Sequence, residues 1–214
     1  MDQEVLKKLK EAVLGFDKEQ SGALAREAVQ AGIDPLRIMD ALIEAVKEVG
    51  DAFGAGDLFL PELVGAADAM QAATPVIEEE IQKRGMKRKV LGKVVLGTVA
   101  GDIHTIGKSM VASLLTAEGF EVHDLGIDVI AEKFVEAIRE DEADIVAMSS
   151  LLTTTAPQCK IVIDQLVAAG LREKVKVMVG GGAVTAAFAQ AMGADGYQPT
   201  APGAVKLAHQ WMDK

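Results

Sequence analysis

An aspartate and a histidine lie two positions apart in the segment VAGDIHTIGKSM, residues 99–110, and Gly107 follows three positions after the histidine. An imidazole can ligate a metal ion or move a proton, and a neighbouring carboxylate can fix its tautomer. Asp102 and His104 come directly after an apolar run that is typical of a buried strand. The pattern D-x-H-x-x-G also occurs in ordinary hydrogen-bonded turns, so the pair alone is compatible with either interpretation.

Two further clusters follow apolar runs later in the chain. The first is SSLLTTT, Ser149 to Thr155, and the second is the triplet Gly180 to Gly182. Hydroxyl side chains often cap helices, and glycine triplets often form tight turns, so each cluster has an ordinary structural interpretation. Glycine also removes a side chain, which lets a ligand approach the backbone closely. The three clusters together are more specific than any one of them.

The second half of the chain has the pattern of an α/β fold. From residue 91 onward, apolar runs alternate with helical patterns, which predicts a doubly wound parallel sheet of five strands. In the flavodoxin-like order 2-1-3-4-5, strands one, three and four are neighbours, and ligands bind at the carboxyl ends of the strands. We therefore expect the three clusters to share one cleft. Four of the predicted strands lie in KVVLGTV, FEVHDLG, ADIVAMSS and KVKVMVGGG, and the segments TAAFAQAMGADGY and PGAVKLAHQWM complete the alternation.

The first half of the chain, residues 1 to about 85, shows only the periodicity of amphipathic helices. Pro61 suits the first turn of the last of these helices. Four such helices with short connections predict a compact four-helix bundle. The apolar faces run from Val5 to Leu14, Leu24 to Val29, Ile38 to Phe53 and, after Leu60 and Pro61, from Leu63 to Ile77.

Composition and charge argue against several classes of protein. The 214 residues carry a formal net charge of −10, whereas a nucleic-acid surface needs clustered Lys and Arg. The basic run KRGMKRK, residues 83–89, is interpreted as a solvated linker. The N-terminus lacks the apolar core of a signal peptide, and no run of about 18 apolar residues occurs, so we expect a cytoplasmic protein without a membrane span. Cys159, the single cysteine, is interpreted as a structural thiol.

The three clusters in combination resemble a known binding module. The D-x-H-x-x-G motif, the S-x-L of Ser150 and Leu152 and the glycine run at Gly180 to Gly182 are similar to the cobalamin-binding module of methionine synthase, several mutases and corrinoid proteins. The segment VGDAFGAGDLFLPELVGAADAM, residues 49–70, resembles the helical cap of the methyl-transferring members, which mutases lack. The likeness extends over nearly the whole chain.

The resemblance implies a division into two domains. Residues 1–88 would form the helical cap, and residues 89–214 would form the flavodoxin-like, Rossmann-like cobalamin-binding domain. Phe53 and Leu60 would bind the cofactor as an apolar lid over the upper face of the corrin, shielding a reactive methyl group from water. The linker from Gly85 to Lys93 would act as the hinge that lets this cap move.

The resemblance also assigns roles below the corrin. His104 would be the lower axial ligand of cobalt, in place of the cofactor's own benzimidazole, and Asp102 would bond the other ring nitrogen; both are predicted to be catalytic. Methionine synthase has a serine as the third member of this ligand group, and the matching position here is Ala156. Thr155 or a water would have to replace it. The other predicted cofactor-binding residues are Thr105, Ile106, Gly107, Thr153 and Thr154, with Ser150, Leu152, Gly180, Gly181 and Gly182 lining a slot for the nucleotide tail.

The function that the resemblance implies is methyl transfer by way of cobalt. The protein would bind cobalamin with His104 in place of the benzimidazole. It would carry a methyl group from a substrate-specific methyltransferase to a second methyltransferase, whose acceptor is tetrahydrofolate or a thiol. A reductive activator would be a further partner, and the chain alone is not expected to turn over. Methylamines, methanol, betaines and aryl methyl ethers remain open as donors, and the alternatives are a cobalamin sensor, a mutase subunit or a flavin-binding electron carrier.

Overall fold

A computed structural model of the chain describes residues 2–86 and 90–212. Its first half is helical and its second half alternates helices with strands, as the sequence predicts. The helices of the first half are α1 (Asp2–Leu14), α2 (Lys18–Gln30), α3 (Pro35–Ala55) and α4 (Leu60–Lys83). The elements of the second half are β1 (Lys93–Thr98), α5 (Ile106–Ala117), β2 (Glu121–Asp124), α6 (Ala131–Asp141), β3 (Ile145–Ser149), α7 (Pro157–Ala168), β4 (Lys176–Gly180), α8 (Ala186–Met192), β5 (Gly196–Tyr197) and α9 (Ala201–Met212).

Local signals in the sequence determine where the first helices begin and end. Asp17 precedes α2, and its carboxylate accepts a hydrogen bond from the backbone N–H of Gln20 at 2.9 Å. Gly56 ends α3 with a φ of 86°, a left-handed conformation that glycine adopts without a steric penalty. Pro61 lies in the first turn of α4, as predicted, where its missing N–H costs no helical hydrogen bond.

The helices of the first half pack around a shared apolar core. α4 packs against α2 and α3, and α1 packs against the same two helices. Fully buried core side chains come from the apolar faces that the sequence pattern predicts, and they include Leu9, Ile38, Leu42, Leu63 and Ile77. The predicted four-helix bundle is therefore confirmed.

The longest helices of this bundle, α3 and α4, contain 21 and 24 residues. Both contain several charged residues among their buried apolar positions. Among residues 2–86 and 90–212, no helix combines the length and the apolar composition that a membrane span requires.

The described strands form one parallel sheet in the order β2-β1-β3-β4-β5. This is the predicted order, and it makes β1, β3 and β4 neighbours. Parallel neighbours end at the same edge of a sheet, so the segments that follow these three strands are brought together. β1 and β3 lie inside the sheet and are almost entirely buried, which explains why both read as continuous apolar runs.

One face of the sheet packs against α6 and α7. Val95, Val146 and Val177 are partners in register across β1, β3 and β4, and all three are completely buried. They belong to one apolar core with Phe134 of α6 and Leu166 of α7. This core holds the three central strands in a common register.

The opposite face of the sheet is only partly filled by helices. Leu96, Ala147 and Met178 form the adjacent register row on β1, β3 and β4. All three line a cavity at the carboxyl edge of the sheet, whereas the valine row one position earlier is sealed by α6 and α7. The alternation of side chains along each strand thus separates a packed face from a face with open space.

The chain divides into two compact units. Within the described residues, the first unit comprises residues 2–86 with 116–119, and the second comprises residues 90–115 and 120–212. The predicted boundary between residues 88 and 89 lies outside the described residues. The predicted linker (83–89) and hinge (Gly85 to Lys93) both include residues 87–89, which also lie outside them, so the hinge stays a prediction.

Candidate functional site

The turn after β1 holds His104 in a defined position. Gly101 has a φ of 79°, which reverses the chain direction beyond the strand. The backbone N–H of His104 donates to Oδ1 of Asp102 at 3.0 Å, and the carbonyl of His104 accepts from the buried hydroxyl of Thr98 at 2.9 Å. The backbone of His104 is therefore fixed on both sides by side chains of the strand end and the turn.

The ring of His104 is fixed by the same carboxylate. Oδ1 of Asp102 lies 2.7 Å from Nδ1 of the imidazole, so Nδ1–H donates to an ionised carboxylate. The lone pair then resides on Nε2, which is the form of imidazole that ligates a metal. The side chain of His104 is 45% exposed while that of Asp102 is completely buried, so Nε2 is the accessible end of the pair.

The second carboxylate oxygen of Asp102 joins the turn to the loop after β3. Oδ2 accepts from the backbone N–H groups of Leu151 at 2.8 Å and Leu152 at 3.3 Å. It also accepts from the hydroxyl of Thr155 at 2.8 Å. The hydroxyl of Ser150 lies 3.4 Å from Oδ2 and 2.8 Å from that of Thr155, which completes a buried cluster.

Thr155 supplies a hydroxyl to Asp102, although the position that matches the serine of methionine synthase is Ala156. Ala156 is buried and carries no hydroxyl, whereas its neighbour Thr155 donates to Asp102 directly. Of the two replacements that the sequence leaves open, the described side chains supply the threonine.

The environment of Asp102 has opposing effects on its pKa. Burial disfavours the charged form and raises the pKa of this carboxyl. Hydrogen bonds from the backbone and ring of His104, from Leu151 and from Thr155 outweigh burial and hold the pKa well below its ordinary range. The carboxylate is therefore charged at neutral pH, which keeps the proton on Nδ1 of His104.

A cavity of about 860 Å³ lies beside His104, within the second unit. Leu96, Ala147 and Met178 of the sheet line one side of it, and Met110 and Val111 of α5 also line it. The remaining walls are formed by the loops after β1, β3, β4 and β5 and by the start of α9. The lining is mostly apolar with a few polar groups, which is typical of a site for an organic ligand.

The structure brings most of the predicted site residues together at this cavity. Asp102 is buried behind the ring of His104, and Ser150 is buried with it, so both act through the cluster and do not line the cavity. Leu152, Thr153 and Thr154 are exposed on the loop after β3 and are not among the lining residues, which differs from the slot role predicted for Leu152. Lining residues from the prediction are His104, Thr105, Ile106, Gly107, Gly180, Gly181 and Gly182.

Phe53 and Leu60 belong to the first unit, at the end of α3 and the start of α4. Both side chains are partly exposed, so neither is a fully buried core residue of the bundle. Their role as a lid over the corrin stays a prediction.

Two glycines at the cavity differ in what a side chain at their position would meet. A Cβ on Gly107 would meet no heavy atom within 4 Å, so this glycine leaves open space at the start of α5. A Cβ on Gly181 would lie 2.1 Å from the carbonyl oxygen of Ser150, and Gly181 has a φ of 104°. Gly181 is therefore required by the close packing of the loops after β3 and β4, whereas Gly107 borders open space.

Sequence reasoning missed the last wall of the cavity. Lys108 lines it from α5 and pairs with Asp124 at the end of β2, and Tyr197, Gln198 and Thr200 line it from the loop after β5. The position of the loop after β5 could have indicated its role, because this loop also follows the carboxyl end of a strand. Only two residues form β5, so its pattern was too short to draw attention to the loop.

Cys159 is fully buried in the core between the sheet and α7. Burial raises the pKa of its thiol to about 12. The thiol is therefore protonated at neutral pH, as expected of a structural cysteine.

Known proteins resemble both halves of the chain. Residues 92–206 match a family model described as a B12 binding domain, and residues 5–78 match a second model of the same description. The chain is 46% identical over 204 residues to the trimethylamine corrinoid protein of Methanosarcina barkeri, covering 95% of this chain and 94% of that relative. It is 43% identical over 209 residues to dimethylamine corrinoid protein 1 of Methanosarcina mazei, covering 97% and 96%.

A solved structure is also similar over nearly the whole chain. It is the methanol:cobalamin methyltransferase complex MtaBC from Methanosarcina barkeri, with a TM-score of 0.82 and 32% identity. The match covers 98% of this chain and 80% of the matched chain.

Replacing Asp102 with Asn is expected to lower the free energy of unfolding at pH 7 by about 2–3 kcal/mol, because a neutral amide cannot accept every hydrogen bond offered to the carboxylate. The pKa of Asp102 is depressed on folding, so its stabilisation is fully present above the unfolded pKa of about 3.9 and is lost as the pH falls toward the folded pKa. The difference between wild type and variant, measured by urea unfolding, should therefore shrink below about pH 4. Asp164→Asn, at an exposed ion pair, is the control and should change stability by less than about 0.5 kcal/mol. A difference independent of pH would contradict the charged state of Asp102.

Replacing Thr155 with Val is expected to cost about 1.5–3 kcal/mol of stability, because a charged and buried oxygen loses a donor. Thr155→Ser keeps the hydroxyl and should retain most of the wild-type stability. Thr154→Val, at the exposed neighbour, should have almost no effect. The measurement is urea unfolding at pH 7, and a Val variant as stable as the wild type would contradict the role of the hydroxyl.

Proposed function

Because this chain belongs to the family of B12-binding corrinoid proteins, we propose that it carries a methyl group on bound cobalamin between two methyltransferases. Cobalamin is the cofactor of the family. The observation that carries the proposal is the pairing of His104 with the buried Asp102 beside a cavity of about 860 Å³. The family sets the cofactor, and the pair indicates how this chain would hold it.

The residues present fit a corrinoid with its benzimidazole displaced. Such a cofactor needs one nitrogen ligand from the protein and a long slot for the released nucleotide tail. His104 offers Nε2, and the cavity extends from His104 between α5 and the sheet. Gly107 leaves space where the tail would pass the start of α5. When bound, cobalamin would supply a cobalt centre that can accept a methyl group from the donor and pass it to the acceptor.

Asp102 has two tasks in this proposal. Its Oδ1 accepts from Nδ1–H and so presents the lone pair of Nε2, and a hydrogen bond of this kind makes an imidazole a stronger donor. Its low pKa also decides where a proton can be held, since the carboxylate stays charged at neutral pH. A proton taken up by the pair would therefore not be held on this carboxylate.

The partners proposed are methyltransferases. One would be specific for the methyl donor, the second would use a tetrahydrofolate or thiol acceptor, and a reductive activator would restore the cofactor. The apolar side chains of Phe53 and Leu60 are proposed to shield the methyl group from water until a partner displaces them. The chain is proposed to act together with these enzymes, which would bind the methyl donor and the acceptor.

A methylated amine is the proposed methyl donor. The curated relatives reported above are corrinoid proteins named for trimethylamine and dimethylamine, and they are more similar in sequence than the chain of the methanol complex. Recognition of the amine would be the task of the partner enzyme.

Replacing His104 with Gly is expected to leave a protein that binds hydroxocobalamin without a protein ligand, so its visible spectrum should differ from that of the wild type. A sharper measurement is electron paramagnetic resonance of the cobalt(II) form made with ¹⁵N-labelled histidine. The label should change the axial nitrogen splitting from a triplet to a doublet in the wild type and in His123→Gly, and should have no effect in His104→Gly. His123 is a suitable control because it is exposed on β2 and pairs with Asp141. If the axial splitting of the wild type were the same with and without the ¹⁵N label, the ligand role of His104 would be overturned.

The choice of donor is tested by reconstituting transfer from purified parts. The chain loaded with cobalamin should support demethylation when it is combined with a methyltransferase specific for trimethylamine or dimethylamine. The measurement is the amine product, and a methanol-specific methyltransferase with methanol serves as the comparison. Transfer with methanol alone would contradict the proposed donor and leave the carrier function intact.

A further inference from the structure

The segment between β2 and α6 runs alongside the turn that carries the site. The backbone N–H of Thr98 donates to Gly126 at 3.0 Å, and that of Val129 donates to Thr98 at 3.0 Å. Val99 and Val129 form an isolated parallel bridge. These contacts extend the pairing of β1 beyond its last residue, so the turn after β1 is supported from a third loop.

Asp128 makes the two contacts of this loop that reach the turn itself. Its Oδ1 accepts from the backbone N–H of Gly101 at 2.7 Å, and its own N–H donates to the carbonyl of Asp102 at 3.0 Å. Asp128 thus binds the turn on both sides of the peptide that joins Gly101 to Asp102. Neither contact involves a side chain of the ligand pair.

The backbone of Asp128 is in an unfavourable conformation. Its φ is 54°, in the left-handed region that residues other than glycine seldom adopt, although Asp and Asn tolerate it better than most. In this conformation the N–H and the carboxylate of Asp128 both meet the turn after β1. Strain retained beside a site, and balanced by hydrogen bonds to that site, indicates a positional requirement.

We propose that Asp128 is a positioning residue that holds the turn so that His104 can reach a bound cobalt. The inference rests on the proposed function, because it concerns how well the ligand is presented. Asp128 acts through Gly101 and Asp102 and does not touch the ring of His104. Its loss should therefore weaken only the part of cofactor binding that depends on His104.

The variants separate the hydrogen bond from the backbone strain. Asp128→Gly keeps the left-handed φ and the N–H but removes the acceptor for Gly101. Asp128→Asn keeps both an acceptor oxygen and tolerance of the left-handed region. The Kd for hydroxocobalamin is measured by absorbance titration in the wild-type and His104→Gly backgrounds, below the thermal midpoint of every variant.

The expected result is a dependence on His104. Asp128→Gly should raise the Kd about fivefold in the wild-type background, the equivalent of one ordinary hydrogen bond. It should have no effect on the Kd in the His104→Gly background, because the ligand that it positions is absent. Asp128→Asn should match the wild type in both.

The outcomes distinguish a failure of this inference from a failure of the proposed function on which it rests. An equal rise in Kd in both backgrounds would assign Asp128 a merely structural role and overturn the inference, and so would an unchanged Kd for Asp128→Gly. If His104→Gly itself changed neither the Kd nor the label-dependent splitting, the ligand role of His104 would fail first.

Discussion

The buried carboxylate of Asp102 is the interaction on which the site depends. A charge removed from water is costly unless hydrogen bonds compensate for it, and a half-satisfied carboxylate would destabilise the fold. Asp102 is compensated by donors from two separate segments: the turn after β1 and the loop after β3. The same contacts that satisfy the charge therefore fix the distance between these segments. The orientation of His104 follows from this requirement, because its ring nitrogen is one of the donors.

The sheet makes this meeting of segments possible. β1 and β3 are neighbours, so the turn that carries Asp102 and the loop that carries Thr155 begin at the same edge. The register that buries Val95, Val146 and Val177 on one face also places Leu96, Ala147 and Met178 on the other. Core packing against α6 and α7 and the floor of the cavity are thus two consequences of one register. A one-residue slip in any strand would exchange them.

Several residues of the site have a different role from the one that their type suggests. Ser150 was expected to line the slot, but its hydroxyl is buried against Asp102 and Thr155. Gly181 reads as a residue that admits a ligand, yet its missing side chain is required by the carbonyl of Ser150. Thr155, one of the two candidates for the third member of the group, is a direct donor to the carboxylate. In each case the decisive contact crosses between two strand ends.

The sequence by itself determined the α/β fold and the helical bundle, because both depend on periodicity within short segments. The strand order expected of a flavodoxin-like fold agrees with the sheet. The sequence also indicated the turn at Asp102 and His104, since the two residues are neighbours in the chain. Only the tertiary structure decided that Thr155 completes the cluster, that the loop after β5 forms a wall and that Asp128 supports the turn. Those contacts join residues far apart in sequence, and their distances are set by the register and packing of the sheet. Local sequence patterns carry no information on the register or the packing of the sheet.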